Sequence, residues 1–148
     1  MPDIVISVDI LIDTAITQGS SCNFSPKTGV TNHHYVIINS NPLTDDELYL
    51  VMFTTKKDRV KDFVMNNPKL DLRTFVEIEA GECQFLPKWG ETCINCNSVL
   101  TVDRTTLKEL IKNSSGRVKH TVEETVLNRI IKGVRLSPLV KRKIKDLI

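Results

Sequence analysis

The chain's reactive side chains collect at the ends of two apolar runs. His33 and His34 open the run 33–39, while Thr54 and Thr55 close the run 48–55 and are followed by Lys56, Lys57 and Arg59. Imidazole is the side-chain type whose charge changes between pH 5 and 8, so a histidine pair can take and give protons near neutrality. Threonine hydroxyls add hydrogen bonds, and the lysines and arginine add charge for an anion. Both runs are rich in β-branched and aromatic residues and read as buried strands. Ser40 to Glu47 between them is a cluster of turn-forming and acidic residues that closes a hairpin. In an antiparallel pair the start of one strand lies beside the end of the next, which brings His33, His34, Thr54, Thr55 and Lys56 to one rim of a sheet. The charge run from Lys56 to Lys61 reads either as a phosphate-contacting edge of that rim or as a solvated turn diluted by Asp58 and Asp62.

Several elements must position that rim. Ile4 to Ile12 alternates apolar residues at Ile4, Ile6, Val8, Ile10 and Ile12, the pattern of a first strand. Residues 17–29 are polar and contain glycine, proline and serine, which predicts a long loop, a binding or lid segment or else disordered, that carries Lys27 toward His33. Thr74 to Glu79 alternates as a strand, Cys83 to Leu86 is a short apolar piece ended by Pro87, and residues 91–100 read as the last strand. Asp103 or Thr105 can cap a helix over 106–112 that carries Leu107, Leu110 and Ile111 inward. Thr121 to Glu124 fits a capping box, with Val122, Val126, Ile130 and Val134 at helical spacing and Gly133 as a stop. Ser137-Pro138 starts a further helix. The predicted class is mainly β with C-terminal helices (α+β): a small antiparallel barrel followed by two or three short helices. The expected division is 1–112, a barrel with the first helix, and 113–148, a basic helical extension packed on it.

The totals narrow the function. With 148 residues, 41% apolar and 26% charged, the chain has the make-up of an ordinary globular protein. Aromatic residues, at 5%, are too few for base-stacking platforms. No secretion signal or membrane span is encoded, and the expected location is the cytosol. Residues 1–100 hold 8 Lys and Arg against 13 Asp and Glu, a net of −5, whereas residues 101–148 hold 12 against 5, a net of +7. A basic tail on an acidic body suggests nucleic acid or an acidic protein as partner, or else a solvated basic helix. Of the four cysteines, Cys93 and Cys96 form a CxxC without a second ligand pair at zinc spacing, and on a strand the two would face opposite sides. Structural thiols are expected, with no metal and no cofactor.

Three segments carry a family resemblance. Ile4 to Leu11, the pair His33–Ser40 and Leu50–Thr55, and Ser98 to Leu107 follow one another as opening strand, second and third strands, and last strand running into a helix. This order resembles the MazF/PemK (Kid-like) toxin family of bacterial type II toxin–antitoxin systems, over roughly residues 4–111. The resemblance implies an SH3-like barrel and a metal-independent endoribonuclease that cuts single-stranded RNA. It also implies a homodimer silenced by an antitoxin whose acidic segment occupies the RNA groove. By position, Thr54 matches the family's threonine, and His34 falls where the family has its key arginine. The missing arginine, the insertion between Thr55 and Thr74, and the helices after Asn113 are departures.

Metal-free RNA cleavage needs a base for the 2′-hydroxyl proton, an acid for the leaving oxygen and cations for the phosphate. The expected catalytic residues are His33, His34 and Thr54, and the expected RNA-binding residues are Lys27, Thr55, Lys56, Lys57 and Arg59. Adjacent strand residues face opposite sides, so only one histidine of the pair can face a given pocket. The alternative function is a non-catalytic barrel module that binds RNA or an acidic partner protein.

Overall fold

The structure, a computed structural model, describes residues 6–27, 29–83 and 92–148. The start of the predicted first strand and the apolar piece ended by Pro87 lie partly or wholly outside these residues. Thirteen elements run in the order α1 (Val8–Thr14), β1 (Ser20–Phe24), β2 (His33–Ile37), β3 (Glu47–Thr54), α2 (Lys57–Met65), a 3-10 turn (Leu72–Thr74), β4 (Phe75–Ile78), β5 (Thr92–Asn95), β6 (Leu100–Asp103), α3 (Arg104–Asn113), β7 (Arg117–Thr121), α4 (Glu124–Leu136) and α5 (Arg142–Lys145).

The expected class, mainly β with helices toward the C-terminus, is the observed one. Seven antiparallel strands form a sheet ordered β4-β5-β3-β2-β1-β7, with β6 branching from β3. β3 is its axis. One edge of β3 pairs with β2, while the other pairs with β6 through Glu47–Leu50 and with β5 through Phe53 and Thr54. Among the described residues no pairing joins β4 to β7, so the sheet stays open. Helices cover both of its faces, and no closed lumen is needed to bury them.

Strand periodicity sorts the core into two halves. Tyr49, Val51 and Phe53 of β3 join Val36, Val76, Ile78 and Ile94 under Val126, Ile130 and Val134 of α4 and under Val140, Ile144 and Ile148. Leu48 and Leu50 point the other way, with Phe24, Tyr35 and Ile37, beneath Ile12 of α1 and Leu107 and Ile111 of α3. Residues 113–148 thus contribute one strand to the sheet and much of one core half.

Several local expectations are corrected. The apolar alternation at the N-terminus belongs to helix α1, because positions four apart satisfy a period of two and a helical turn alike. Val8 and Ile12 pack inward, Ser7 caps the helix by accepting the Ile10 N–H at 3.3 Å, and Ile6 and Ile10 are left exposed. Part of the predicted loop 17–29 is strand β1. Its polar side chains are satisfied within the sheet: Ser21 Oγ donates to His120 O at 2.5 Å, and Ser20 Oγ accepts the Thr17 N–H at 2.8 Å. The charge run after Thr55 is helix α2, with Val60 and Val64 inward. Residues 92–103 hold two strands, not one. Thr121 lies in β7, and α4 begins at Glu124 with no side-chain cap. α4 also runs through Gly133 to Leu136.

α3 follows its sequence signals closely. Asp103 accepts the Thr106 N–H at 2.7 Å at its start. At its end Ser115 adopts φ 53°, and the Gly116 and Ser115 N–H groups return to Ile111 O at 2.7 Å and Lys112 O at 3.2 Å, a Schellman closure.

Candidate functional site

The β2–β3 register pairs Tyr35 with Met52 and Ile37 with Leu50. Continued by two residues, it sets His33 opposite Thr54, with both side chains on the sheet face that carries Leu50 and Met52. On its other side His33 pairs with Phe24 of β1, whose ring stacks on Tyr35 at a centroid distance of 4.2 Å. The histidine therefore stands on a fixed backbone, at the point where β2 leaves the packed core.

His33 and Thr54 line a cavity of about 310 Å³ together with Met52, Lys56, Arg59, Val60, Asn95 and Ser98. Strands β2, β3 and β5, helix α2 and the turn after β5 all contribute. Val60 anchors α2 from below, which leaves Lys56 and Arg59 exposed at the rim. Neither cation forms an ion pair with a described residue. α2 begins at this wall, with Lys56 as its N-cap residue and no side-chain cap, so the positive end of its dipole lies beside the two cations. Thr54 Oγ1 accepts the Lys56 N–H at 3.2 Å, leaving the hydroxyl hydrogen to donate into the cavity. An imidazole, a hydroxyl and two cationic side chains thus share one surface.

Of the eight predicted site residues, four converge here: His33, Thr54, Lys56 and Arg59. The other four lie elsewhere. His34 points to the opposite sheet face beside its cross-strand partner Asn23. Burial first, then the charges of Lys119 and of His33, pull its pKa below the ordinary histidine value, which favours the neutral ring. Lys57 contacts the Glu77 carboxylate, and that bond lowers the Glu77 pKa. Thr55 is exposed outside the cavity lining. Lys27 borders a separate cleft with Ser25, Asn32 and Leu110, formed between the β1–β2 loop and the end of α3.

Sequence reasoning missed Met52, Asn95 and Ser98. Asn95 and Ser98 bound a β-turn in which the Ser98 N–H donates to Asn95 O at 3.2 Å, and the signal for it was the Asn-Cys-Asn-Ser string after a strand. The cysteines take no part. Burial pushes the thiols of Cys22, Cys83 and Cys96 up to about 12 and that of Cys93 up to about 11.

No protein-family model matches the sequence, and no curated protein matches it. Solved structures do. An endoribonuclease in complex with its cognate antitoxin, from a mycobacterial species, superposes with a TM-score of 0.52 at 12% identity, over 86% of this chain and 97% of that one. The fold is shared with that endoribonuclease. A MazE–MazF structure from Deinococcus radiodurans aligns with a TM-score of 0.45 at 11% identity, over 80% of this chain and 90% of that chain. At such identities the likeness is one of backbone path alone. No described helix is long and apolar enough to cross a membrane.

Proposed function

We propose that the chain is a toxin-type endoribonuclease that cleaves single-stranded RNA at the cavity lined by His33, Thr54, Lys56 and Arg59. One observation carries this reading: on a backbone shared with a solved endoribonuclease, an imidazole, a hydroxyl and two cations without an ion-pair partner among the described residues meet in one cavity. The volume suits a single nucleotide unit, at the small end of ligand cavities, which run from about 300 to 1,000 Å³.

In the proposed reaction His33 takes the 2′-hydroxyl proton, and the 2′-oxygen attacks the adjacent phosphorus. The bond to the 5′-oxygen breaks as a 2′,3′-cyclic phosphate forms, and the departing oxygen takes a proton from the Lys56 ammonium, which water then restores. Arg59 holds the non-bridging oxygens with paired N–H donors, and Thr54 adds one hydroxyl donor. The arginine missing from β2 thus has a substitute on α2, the segment that the resemblance treats as an insertion. His34, on the other sheet face, is a positioning residue in this scheme. The proposed assembly is a homodimer, held inactive by an antitoxin whose acidic segment occupies the same cationic rim, in the cytoplasm. No metal enters the scheme.

The test is incubation of the purified protein with a long unstructured RNA in EDTA. Cleavage that disappears in His33→Ala and falls in Arg59→Ala supports the reading; an uncut RNA, or full activity in His33→Ala, ends it. A second reading, a non-catalytic RNA-binding module, draws on the orientation of His34, which leaves one imidazole where a base and an acid are both wanted. Salt-sensitive RNA binding without cleavage would select it.

A further inference from the structure

Asn95 closes β5 and lines the same cavity as His33, Thr54 and Arg59. Its amide orientation is determined. The Asn97 backbone N–H donates to Asn95 Oδ1 at 3.0 Å, and Asn97 Nδ2 donates to the same oxygen at 3.0 Å. A backbone N–H can only donate, so the atom it meets must be the amide oxygen. Asn97 is itself held by Thr74, whose buried Oγ1 accepts from Asn97 Nδ2 at 2.9 Å. What Asn95 has left for the cavity is its NH2 group, which has no hydrogen-bond partner among the described residues. Three other cavity groups are weighted the same way, since Lys56 and Arg59 only donate and the Thr54 oxygen already accepts a backbone N–H; His33, the proposed base, and the Ser98 hydroxyl are the ones able to accept.

We propose that Asn95 selects the base seated in this cavity by donating to an exocyclic carbonyl, so that one position of the substrate is a keto base, guanine or uracil, in preference to adenine or cytosine. The inference rests on the reading of the cavity as an RNA site. Guanine offers O6 and N7 as acceptors, and uracil, like thymine, offers O4. Adenine and cytosine carry amino groups at the corresponding positions and would set donor against donor. The usual pairing of asparagine with adenine needs both an acceptor and a donor from the amide, and here the acceptor is occupied. Lys56 and Arg59, exposed and charged, suit the phosphate, and the Ser98 hydroxyl donates and accepts alike, which leaves the half-buried Asn95 amide as the neutral group that tells keto from amino bases.

The experiment uses a set of pentanucleotides that differ at one base, including inosine in place of adenosine to exchange an amino group for a carbonyl. Cleavage is followed with the wild-type protein, and binding by fluorescence anisotropy on a His33→Ala background. Asn95→Asp keeps an oxygen for the Asn97 N–H and replaces the donor with an acceptor; Asn95→Ser keeps an oxygen at the turn and withdraws the amide NH2, leaving a shorter hydroxyl that donates and accepts alike. The expected result is a keto preference of about tenfold at one position, shared by inosine, that reverses in Asn95→Asp and levels in Asn95→Ser. An unchanged keto-to-amino ratio in either folded variant, checked by its melting curve, overturns the assignment and leaves the nuclease reading standing. If Asn95→Asp does not fold, Asn95→Ser decides. Wild-type protein that neither binds nor cuts any of the RNAs overturns both.

Discussion

Asn39 accepts the Tyr49 N–H through its Oδ1 at 2.8 Å, across the mouth of the β2–β3 hairpin. The same side chain donates to Asp45 Oδ2 and to Glu47 O, each at 2.9 Å, and is fully buried. The three bonds fix the hairpin register at the end far from the cavity, and that register sets His33 opposite Thr54. Asn39→Ala leaves the buried Tyr49 N–H and the part-buried Glu47 carbonyl without this partner, which costs about 2–3 kcal/mol in total. Urea melts check the loss. Activity per folded molecule should fall as well, because the register is shared with the site.

The cavity ranks the basic residues. His33→Ala is expected to lower RNA cleavage by about 10²- to 10⁴-fold, the usual worth of a general base. Arg59→Ala should cost about 10²-fold, and Arg59→Lys should recover only part of it, because an ammonium lacks the paired donors. Lys27→Ala, in a cleft of its own, should change the rate by less than about threefold, as for one distant charge in salt. Rates measured on one RNA under single-turnover conditions decide the order. Equal losses at Lys27 and Arg59 would contradict it.

His34 makes stability depend on pH. Its folded pKa is depressed, with burial the leading cause, so the unfolded chain binds its proton first as pH falls. The contribution is complete above the unfolded histidine value of about 6.5. It declines as pH drops below that value and levels off under the folded pKa. Asp71, held at about 2 by Arg73, and the lowered carboxyls of Glu77 and Asp103 act further down: their contributions are present above the ordinary carboxylate range and are lost as pH falls through the folded pKa values. Melting temperatures from pH 8 to 5 should therefore fall in the wild type and flatten in His34→Gln, with the acid limb below pH 4 unchanged.

Much of this was legible before any coordinates. The paired runs His33–Asn39 and Leu48–Thr55 are the adjacent strands that they read as, because β-branched residues bounded by a polar turn cluster leave few alternatives. Antiparallel geometry brought His33, Thr54 and Lys56 to one corner, along with His34 and Thr55, which lie outside the cavity lining, whereas Arg59 reaches it on helix α2. What misled was ambiguity of period: apolar residues at every second position fit α1 as well as a strand, and the tertiary neighbours Leu107 and Ile111 decided the matter. β1 was hidden because Ser21 and Asn23 find their partners on β7, about a hundred residues away. Arg104 could not be foreseen either. Its guanidinium donates to Ile12 O at 2.7 Å and to Asp45 O at 3.1 Å, tying α1, the hairpin loop and α3 together through carbonyls that no sequence pattern marks.

Gly133 shows the same limit from the other side, and its sign is testable. A glycine after Ile130 and Ile131 reads as a helix stop, yet α4 continues for three residues beyond it. The position is buried, and a Cβ there would lie 2.8 Å from Arg73 O and 2.8 Å from Cys96 Sγ. Helix propensity alone makes Gly133→Ala a gain of about 1 kcal/mol. The close approach of the Arg73 carbonyl reverses that, since backbone on the far side cannot swing away and α4 must lift from the 3-10 turn and from Cys96. Overpacking of this kind costs about 1–3 kcal/mol, so the expected outcome is a lower melting temperature in Gly133→Ala. Cys96→Ala in the same chain removes one of the two contacts and should return part of the loss. A rise in melting temperature on Gly133→Ala would mean that α4 does not sit this close to the strand layer.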